Sequence, residues 1–287
     1  MEDAFATLVS GSVSGAVADA ITHPISTVKT RLQVQGAASV VAGGAQQLTS
    51  YRGPFHATAS IIRSEGVGAL YTGLGAVLSA AAPGQALYFA GYEVFKSVLP
   101  ASSLSSFAAG VGAQLCGSVA WVPMDVVKER LQIQGSMSKL TARYKGSMGA
   151  LRDIVASEGV LGLYRAYWIH QATWAPFNGL YFMLYDGSKE FARARELPEW
   201  PSAIVAGVIA STVTNPMDLV KTRLQVARSN PTLFDYNGTF DCAIKIIRRE
   251  GPMALFDGTS SRVLLLTPRL SIAVGTYELV RREFFGR

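Results

Sequence analysis

Charge is scarce in this 287-residue chain: Asp, Glu, Lys and Arg together make up 16% of it, against about 25% in an ordinary soluble protein. Apolar residues reach 49%, and that balance favours a bilayer. Also missing is any clean apolar run of about 20 residues. A bundle in lipid is not thereby excluded, because a helix lining an aqueous cavity needs only one lipid-compatible face, and Ser, Thr, Gly and Ala can serve the others. The two cysteines, Cys116 and Cys242, lie far apart in the sequence, so no disulfide or metal framework follows from them, and they read as buried thiols. No Gly-rich phosphate loop, His-Glu metal motif or nucleophile elbow appears, and NGT at Asn237 reads as a turn, so enzyme chemistry has no motif to rest on. The net charge of +6 is spread over short recurring positions rather than gathered on a basic face with interleaved aromatics, which argues against nucleic acid. MEDAFATLVSGSVSGAVADA opens with two acids and no basic region, unlike a secretory signal or an Arg-rich transit peptide, so an organelle address is expected to be internal.

What the chain does have is one unit written three times. HPISTVKTRLQ from His23 returns as VPMDVVKERLQ from Val122 and NPMDLVKTRLQ from Asn215. SEGVGALYTG, SEGVLGLYRA and REGPMALFDG follow, then YEVFK, YDGSK and YELVR. The second and third landmarks recur at steps of 93 and 92 residues, whereas the first recurs at 99 and 93. The extra residues fall in GAASVVAGGAQQLTS, which reads as a flexible insertion. A single domain of three units is expected, over 1–100, 101–196 and 197–287. Odd helices are predicted over Phe5 to Gln35, Leu104 to Gln134 and Ser202 to Val226, each bent at its Pro. Even helices are predicted over Gly73 to Leu99, Ala166 to Arg193 and Thr259 to Phe285, with Pro83, Pro176 and Pro268 in register. Small residues at Gly11, Gly15, Gly110, Ala203 and Gly207 would let neighbouring helices approach closely, with Gln114 interrupting the pattern.

These three motifs, repeated over the whole chain, resemble those of the mitochondrial carrier family. The resemblance implies an all-α membrane protein: six transmembrane helices in three pseudosymmetric repeats around a central cavity, with short matrix-side amphipathic helices. It also implies a monomer in the mitochondrial inner membrane, a small-molecule substrate, lipid contacts that include cardiolipin, no cofactor and no enzyme activity.

Charged side chains at helix kinks in lipid are costly unless paired. An acid three residues before its own Lys can pair locally on one helix; in the family the acid pairs with the base of the next unit. That rule gives a matrix gate of Asp125 with Lys221 and Asp218 with Lys29, while Ser26 leaves Lys128 without its acid, to reach water or another acceptor. Gln33, Gln132 and Gln225, each four residues after the Lys, would brace the ring as the family's glutamines do. At the other mouth the resemblance implies a cytoplasmic gate of Glu93 with Lys189, Asp186 with Arg281 and Glu278 with Lys96, braced by Tyr92, Tyr185 and Tyr277. Two rings that cannot close together make a two-state device, tipped by a ligand of differential affinity.

The family's contact points, 12 or 13 residues before the acids of the even helices, fall on Ala80, on Thr173 with Trp174, and on Leu265 or Leu266. Helical spacing adds Asp19, His170, Arg262 and Arg269. Asp19 reads either as a substrate or proton contact or as a salt-bridge partner of Arg269, and Arg262 and His170 either as ligand contacts or as structural groups. Asp19, Arg269 and Trp174 would suit a small zwitterionic or cationic metabolite, amino-acid-like or S-adenosylmethionine-like. VADAITHP is similar to S-adenosylmethionine carriers, but those have an Arg-acid pair where this chain has Thr173 and Trp174. Too few positive charges converge for a polyphosphate nucleotide. Mitoferrin-like metal transport lacks ligand spacing, and a proton-leak or regulatory role for the same fold is a further alternative. Restoring the absent acid with Ser26→Asp is expected to strengthen matrix-side closure and shift the resting population toward the cytosol-facing state. Thermal stability and transport, both unchanged from the parent, would contradict this.

Overall fold

The computed structural model describes residues 2–41, 51–98, 103–134, 144–196, 201–227 and 235–285, and these form helices without strands. One order of elements occurs three times. A long helix leads to a short amphipathic helix, a 3₁₀ turn and a second long helix. In the first third these are α1 (Glu2–Val41), α2 (Pro54–Glu65), the turn Val67–Tyr71 and α3 (Leu74–Val98). The second third holds α4 (Ser103–Ile133), α5 (Gly146–Glu158), the turn Val160–Tyr164 and α6 (Tyr167–Ala194). In the last third the leading helix is split into α7 (Pro201–Val213) and α8 (Asn215–Val226), followed by α9 (Thr239–Glu250), the turn Pro252–Phe256 and α10 (Thr259–Phe285).

At the motif proline the leading helix is interrupted in that last unit. There Thr214 leaves helical geometry, with φ −92° and ψ 1°, and its hydroxyl donates to the Ala210 carbonyl at 2.7 Å. The Asn215 amide donates to Leu255 O at 2.9 Å, which anchors the restart of the helix on the following 3₁₀ turn. Pro24 and Pro123 sit inside helices assigned as continuous. Before Pro24, His23 Nε2 lies 3.0 Å from Thr72 O, while Val122 offers no polar group at that place. The insertion also departs from the expected loop: α1 continues to Val41, and residues 42–50 lie outside those described.

The amphipathic helices bury matching positions four residues apart: Ala57 and Ile61, Ala150 and Ile154, Cys242 and Ile246. Each pair packs on the apolar side of the preceding long helix, as Ile61 does with Val28 and Leu32 and Ile154 with Val127 and Leu131. Burial also pushes the Cys242 thiol up to about 12. Each of these helices ends on a glycine, Gly66, Gly159 or Gly251, with φ 86°, 73° and 92° and ψ 168°, 175° and 163°. That region is open essentially to glycine alone, which accounts for the Gly of the repeated Glu-Gly.

The long helices close a ring in the order α1, α3, α4, α6, α7 with α8, and α10 against α1 again. Large apolar side chains such as Ile21, Val94, Val119, Trp168, Met183 and Val213 stay exposed, an outward face suited to lipid rather than water. Two stretches, Val67–Val98 and Pro252–Phe284, are long and apolar enough to cross a membrane by length and composition. The expected small residues approach neighbours only in part: a Cβ on Gly11 would sit 3.4 Å from Gln85 and one on Gly207 3.6 Å from Thr267. A Cβ on Gly15 or Gly110 would meet nothing within 4 Å, whereas one on Gly84 would sit 2.0 Å from Trp121 Nε1 and one on Gly112 2.2 Å from Phe95. Close approach is therefore concentrated between α3 and α4, where glycines receive aromatic rings. Gly84→Ala is expected to destabilise the fold by about 1–3 kcal/mol through overpacking, and Gly15→Ala to cost nothing; thermal denaturation of the purified variants reads both.

Candidate functional site

At the end of the ring that carries the Pro motifs, α1, α4 and α8 converge. Lys29 Nζ lies 2.6 Å from Asp218 Oδ2 and Lys221 Nζ 3.0 Å from Asp125 Oδ2, so the repeated acids and bases meet across units. With Ser26 opposite, Lys128 turns to Asp125 on its own helix at 3.2 Å. The local pairing thus occurs at the one site where the acid is missing. Asp125 accepts from two ammonium groups as a result.

One layer further along, Gln33, Gln132 and Gln225 are buried, and their partners differ. Gln33 donates to Asp218 Oδ2 at 2.9 Å and accepts from Thr222 at 2.9 Å. Gln132 has no acid to brace; it donates to Thr27 at 3.1 Å and accepts from Thr30 at 2.8 Å. Gln225 faces neither Asp125 nor a Thr but Glu129, with its amide nitrogen 3.0 Å and 2.5 Å from the two carboxylate oxygens in the satisfied amide orientation.

Beneath the glutamines lies a layer that the charge pattern alone did not assign. Arg31, Arg130 and Arg223 are fully buried, and each forms a two-pronged pair with the Glu of its own amphipathic helix: Glu65, Glu158 and Glu250. Their Nε groups donate to backbone carbonyls of the next unit, Arg31 to Gln132 at 2.9 Å, Arg130 to Gln225 at 3.0 Å and Arg223 to Gln33 at 2.9 Å. The Arg of Lys-x-Arg and the Glu of Glu-Gly recur together in every unit, and that joint recurrence was the available signal.

Above this floor the ring encloses a cavity of about 430 Å³. Ala80, Trp174, Leu265, Leu266, His170, Arg262, Asp19 and Arg269 all line it. Thr173 does not: it is buried, and its hydroxyl turns back to Ile169 O at 2.7 Å, a bond within the helix that serves a Thr facing its neighbours. Asp19 is engaged by Arg269, Nε to Oδ1 at 2.5 Å and Nη2 to Oδ2 at 3.3 Å, so the salt-bridge alternative is the one formed. Arg262 is tied into the frame, donating to Ser211 O at 3.0 Å, lying 3.7 Å from Asp218 and resting over the Phe177 ring. His170 turns Nδ1 toward Asp125 Oδ2 at 3.6 Å, beyond hydrogen-bond reach, and that nitrogen has no hydrogen-bond partner. Trp174 stands edge-on to Phe177 at 5.6 Å and 87°. Sequence reasoning missed Gln85, Gln114, Trp121 and Asn178 in the wall; Gln114 had a signal, since it interrupts a run of small residues.

At the opposite mouth Glu93 and Lys96 are exposed. The side chains of Asp186, Lys189 and Glu278 lie outside the described set, and each expected pair of that ring includes one of them. Lys96 Nζ sits 5.4 Å from the Tyr92 ring centre, and Arg281 donates to Tyr277 Oη at 3.2 Å. Both tyrosines therefore contact the base of their own helix. Tyr185 stacks on Tyr181 at 6.1 Å.

Comparison with known proteins accounts for this architecture. The family described as "Mitochondrial carrier protein" matches three successive segments, residues 2–103, 100–196 and 198–287. The chain is 36% identical to mitochondrial substrate carrier family protein E of Dictyostelium discoideum, over 96% of this chain and 95% of that protein. It is 33% identical to the human electrogenic aspartate/glutamate antiporter SLC25A12, over 96% of this chain and 40% of the antiporter. A probable chloroplastic S-adenosylmethionine carrier of Arabidopsis thaliana is 31% identical, over 97% of this chain and 74% of that protein. With the family matched in all three thirds of its length, the chain belongs to the mitochondrial carrier family and is a transmembrane solute transporter of a mitochondrial membrane.

Proposed function

We propose that this protein carries a small zwitterionic or cationic metabolite bearing an amino-acid group across the mitochondrial inner membrane by alternating access. In this reading α1, α3, α4, α6, the α7–α8 pair and α10 are six spans, and the protein acts as a monomer with lipid, cardiolipin included, around it. The paired Lys and Asp residues below the cavity act as the matrix gate. The Tyr-acid-base segments at the other mouth close when that gate opens, and the two closures exclude one another.

The observation that carries the substrate reading is the Asp19–Arg269 pair, which crosses from α1 to α10 on the cavity wall. A ligand with both an ammonium and a carboxylate can insert there, exchanging one internal ion pair for two external ones without changing the net charge of the cavity. Removing only one partner would strand a charge, at about 3–5 kcal/mol in a buried setting, so a singly charged ligand is a poorer replacement. Because Asp19 and Arg269 belong to different units, separating them alters the contact between α1 and α10. That provides the differential affinity a ligand needs to shift a two-state equilibrium. Trp174 lines the cavity, and an indole there suits a cation such as a sulfonium. Aspartate, glutamate and S-adenosylmethionine, named for two of the relatives, share the α-amino-acid group.

A thermal-shift screen of metabolites on the purified protein tests this. An amino-acid ligand at a hundredfold excess over its Kd is expected to stabilise the fold by about 2.7 kcal/mol. Asp19→Asn and Arg269→Ala should each weaken that ligand by about 1.5–3 kcal/mol, the worth of a charge-assisted hydrogen bond. Uptake of the same compound into proteoliposomes supports the carrier reading. Proton current without solute uptake would replace it with the leak reading, and stabilisation by a divalent metal instead of amino acids would favour a metal cargo.

A further inference from the structure

The equivalent positions after the motif Lys read Thr30, Glu129 and Thr222. The chain that has Ser26 where the other units have Asp thus has an acid in its second unit where the others have Thr. Glu129 is 2% exposed, and a buried carboxylate is tolerated only with partners. It has them: the Gln225 amide at 3.0 Å and 2.5 Å, and Lys221 Nζ at 3.8 Å. Where the other two units place a Thr hydroxyl against the glutamine of a neighbour, this one places a carboxyl group. We infer that Glu129 is the third acid of the matrix gate, transposed from position 26 to the seam between the second and third units. This inference rests on the carrier reading above and specifies how its gate is built.

Charge and geometry agree on this point. Lys29, Lys128 and Lys221 are matched by Asp125, Asp218 and Glu129, the number a symmetric ring would hold, but their distribution is not symmetric. The seam between the second and third units has Lys221 against both Asp125 and Glu129. Between the third and first units, Lys29 meets Asp218. Between the first and second units, the floor contacts among the described residues include no pair of opposite charges: Gln132 meets Thr27, Thr30 and His23, and its carbonyl accepts from Arg31 Nε. Without Glu129, Lys221 would share a single acid with Lys128, and the three gate lysines would have two acids between them. The transposition therefore concentrates the gate's electrostatic strength on one seam.

The test follows gate opening directly. In a Cys116→Ser background, Ala81→Cys on the cavity wall is labelled with a membrane-impermeant maleimide from either face of the membrane. The parent is expected to label mainly from the cytoplasmic face. Glu129→Thr, which copies the other two units, should raise matrix-face labelling about fivefold. Glu129→Gln should shift it in the same direction by less, since it keeps a hydrogen bond to Gln225, and it still reports if the Thr variant folds poorly. Adding Ser26→Asp to Glu129→Thr should bring labelling back to within about twofold of the parent. Unchanged labelling in both Glu129 variants, or no recovery in the double variant, overturns the inference while leaving the carrier reading intact. A parent that labels equally from both faces overturns the carrier reading, and the inference falls with it.

Discussion

The architecture depends on three arginines that have no access to water. Arg31, Arg130 and Arg223 each spend the full fork of the guanidinium, two nitrogens on a Glu of the same unit and the third on a backbone carbonyl of the next. A buried guanidinium with any donor unmet would be costly, so the amphipathic helix must dock where its terminal Glu can reach, and the next unit must stand where its carbonyl can accept. Lysine could not meet both demands, because it lacks the planar fork. Three such links in cyclic order close one end of the ring and fix the height of everything above it.

Because that end is fixed, the gate residues converge, and because they converge the wall above them can remain polar. Gln85, Gln114, Asn178, Asp19 and Arg269 face the cavity while apolar side chains such as Val119 and Ile21 face outward. This division of faces explains why, among the described residues, just two stretches are long and apolar enough to cross a membrane by length and composition. A helix with one side committed to water is too polar on average to be recognised by a sum over its residues.

Repetition made the fold legible. Once Pro24, Pro123 and Pro216 were in register, helix order followed from counting units, and the partners of Asp218 and Asp125 from the pairing rule that the family resemblance implies. Individual exceptions to the repeat were harder to interpret. The break at Thr214 depends on an Asn that can reach the 3₁₀ turn, and one sequence does not show that reach. Thr173 and Trp174 are adjacent in sequence, yet only the indole enters the cavity, because a rotation of about 100° per residue separates their faces. Glu129 was visible as a departure from Thr30 and Thr222, but its meaning required knowing that Gln225 stands opposite. The glycine motif was a partial guide for a related reason. Small residues permit close approach, but whether a neighbour uses the space depends on where Trp121 and Phe95 point.

The cores and the seams divide the labour of stability and motion. The apolar cluster of Val28, Leu32, Tyr51, Ala57, Ile61 and Leu70 lies wholly within the first unit, and that around Val127 and Ile154 is almost wholly within the second. Burial is non-directional and roughly additive in area, so such cores survive a rigid rotation of the unit. The floor contacts between units add ion pairs and hydrogen bonds, which can be exchanged for contacts with water or a ligand at small net cost, to one apolar cluster that crosses the seams, where Val34 and Ile133 join Leu219 and Ile246 of the third unit. The first and second units lack an opposite-charge link at the floor among the described residues, yet α3 and α4 form the closest-packed pair of helices in the ring, interlocked where Trp121 fills the space left by Gly84 and Gly117. Steric interlock along the wall therefore holds together the seam with the fewest charges below it. Opening of the floor then requires the polar links of the other two seams to yield, and Lys221, Asp125, Glu129, Lys29 and Asp218 are the groups whose pairing decides when they do.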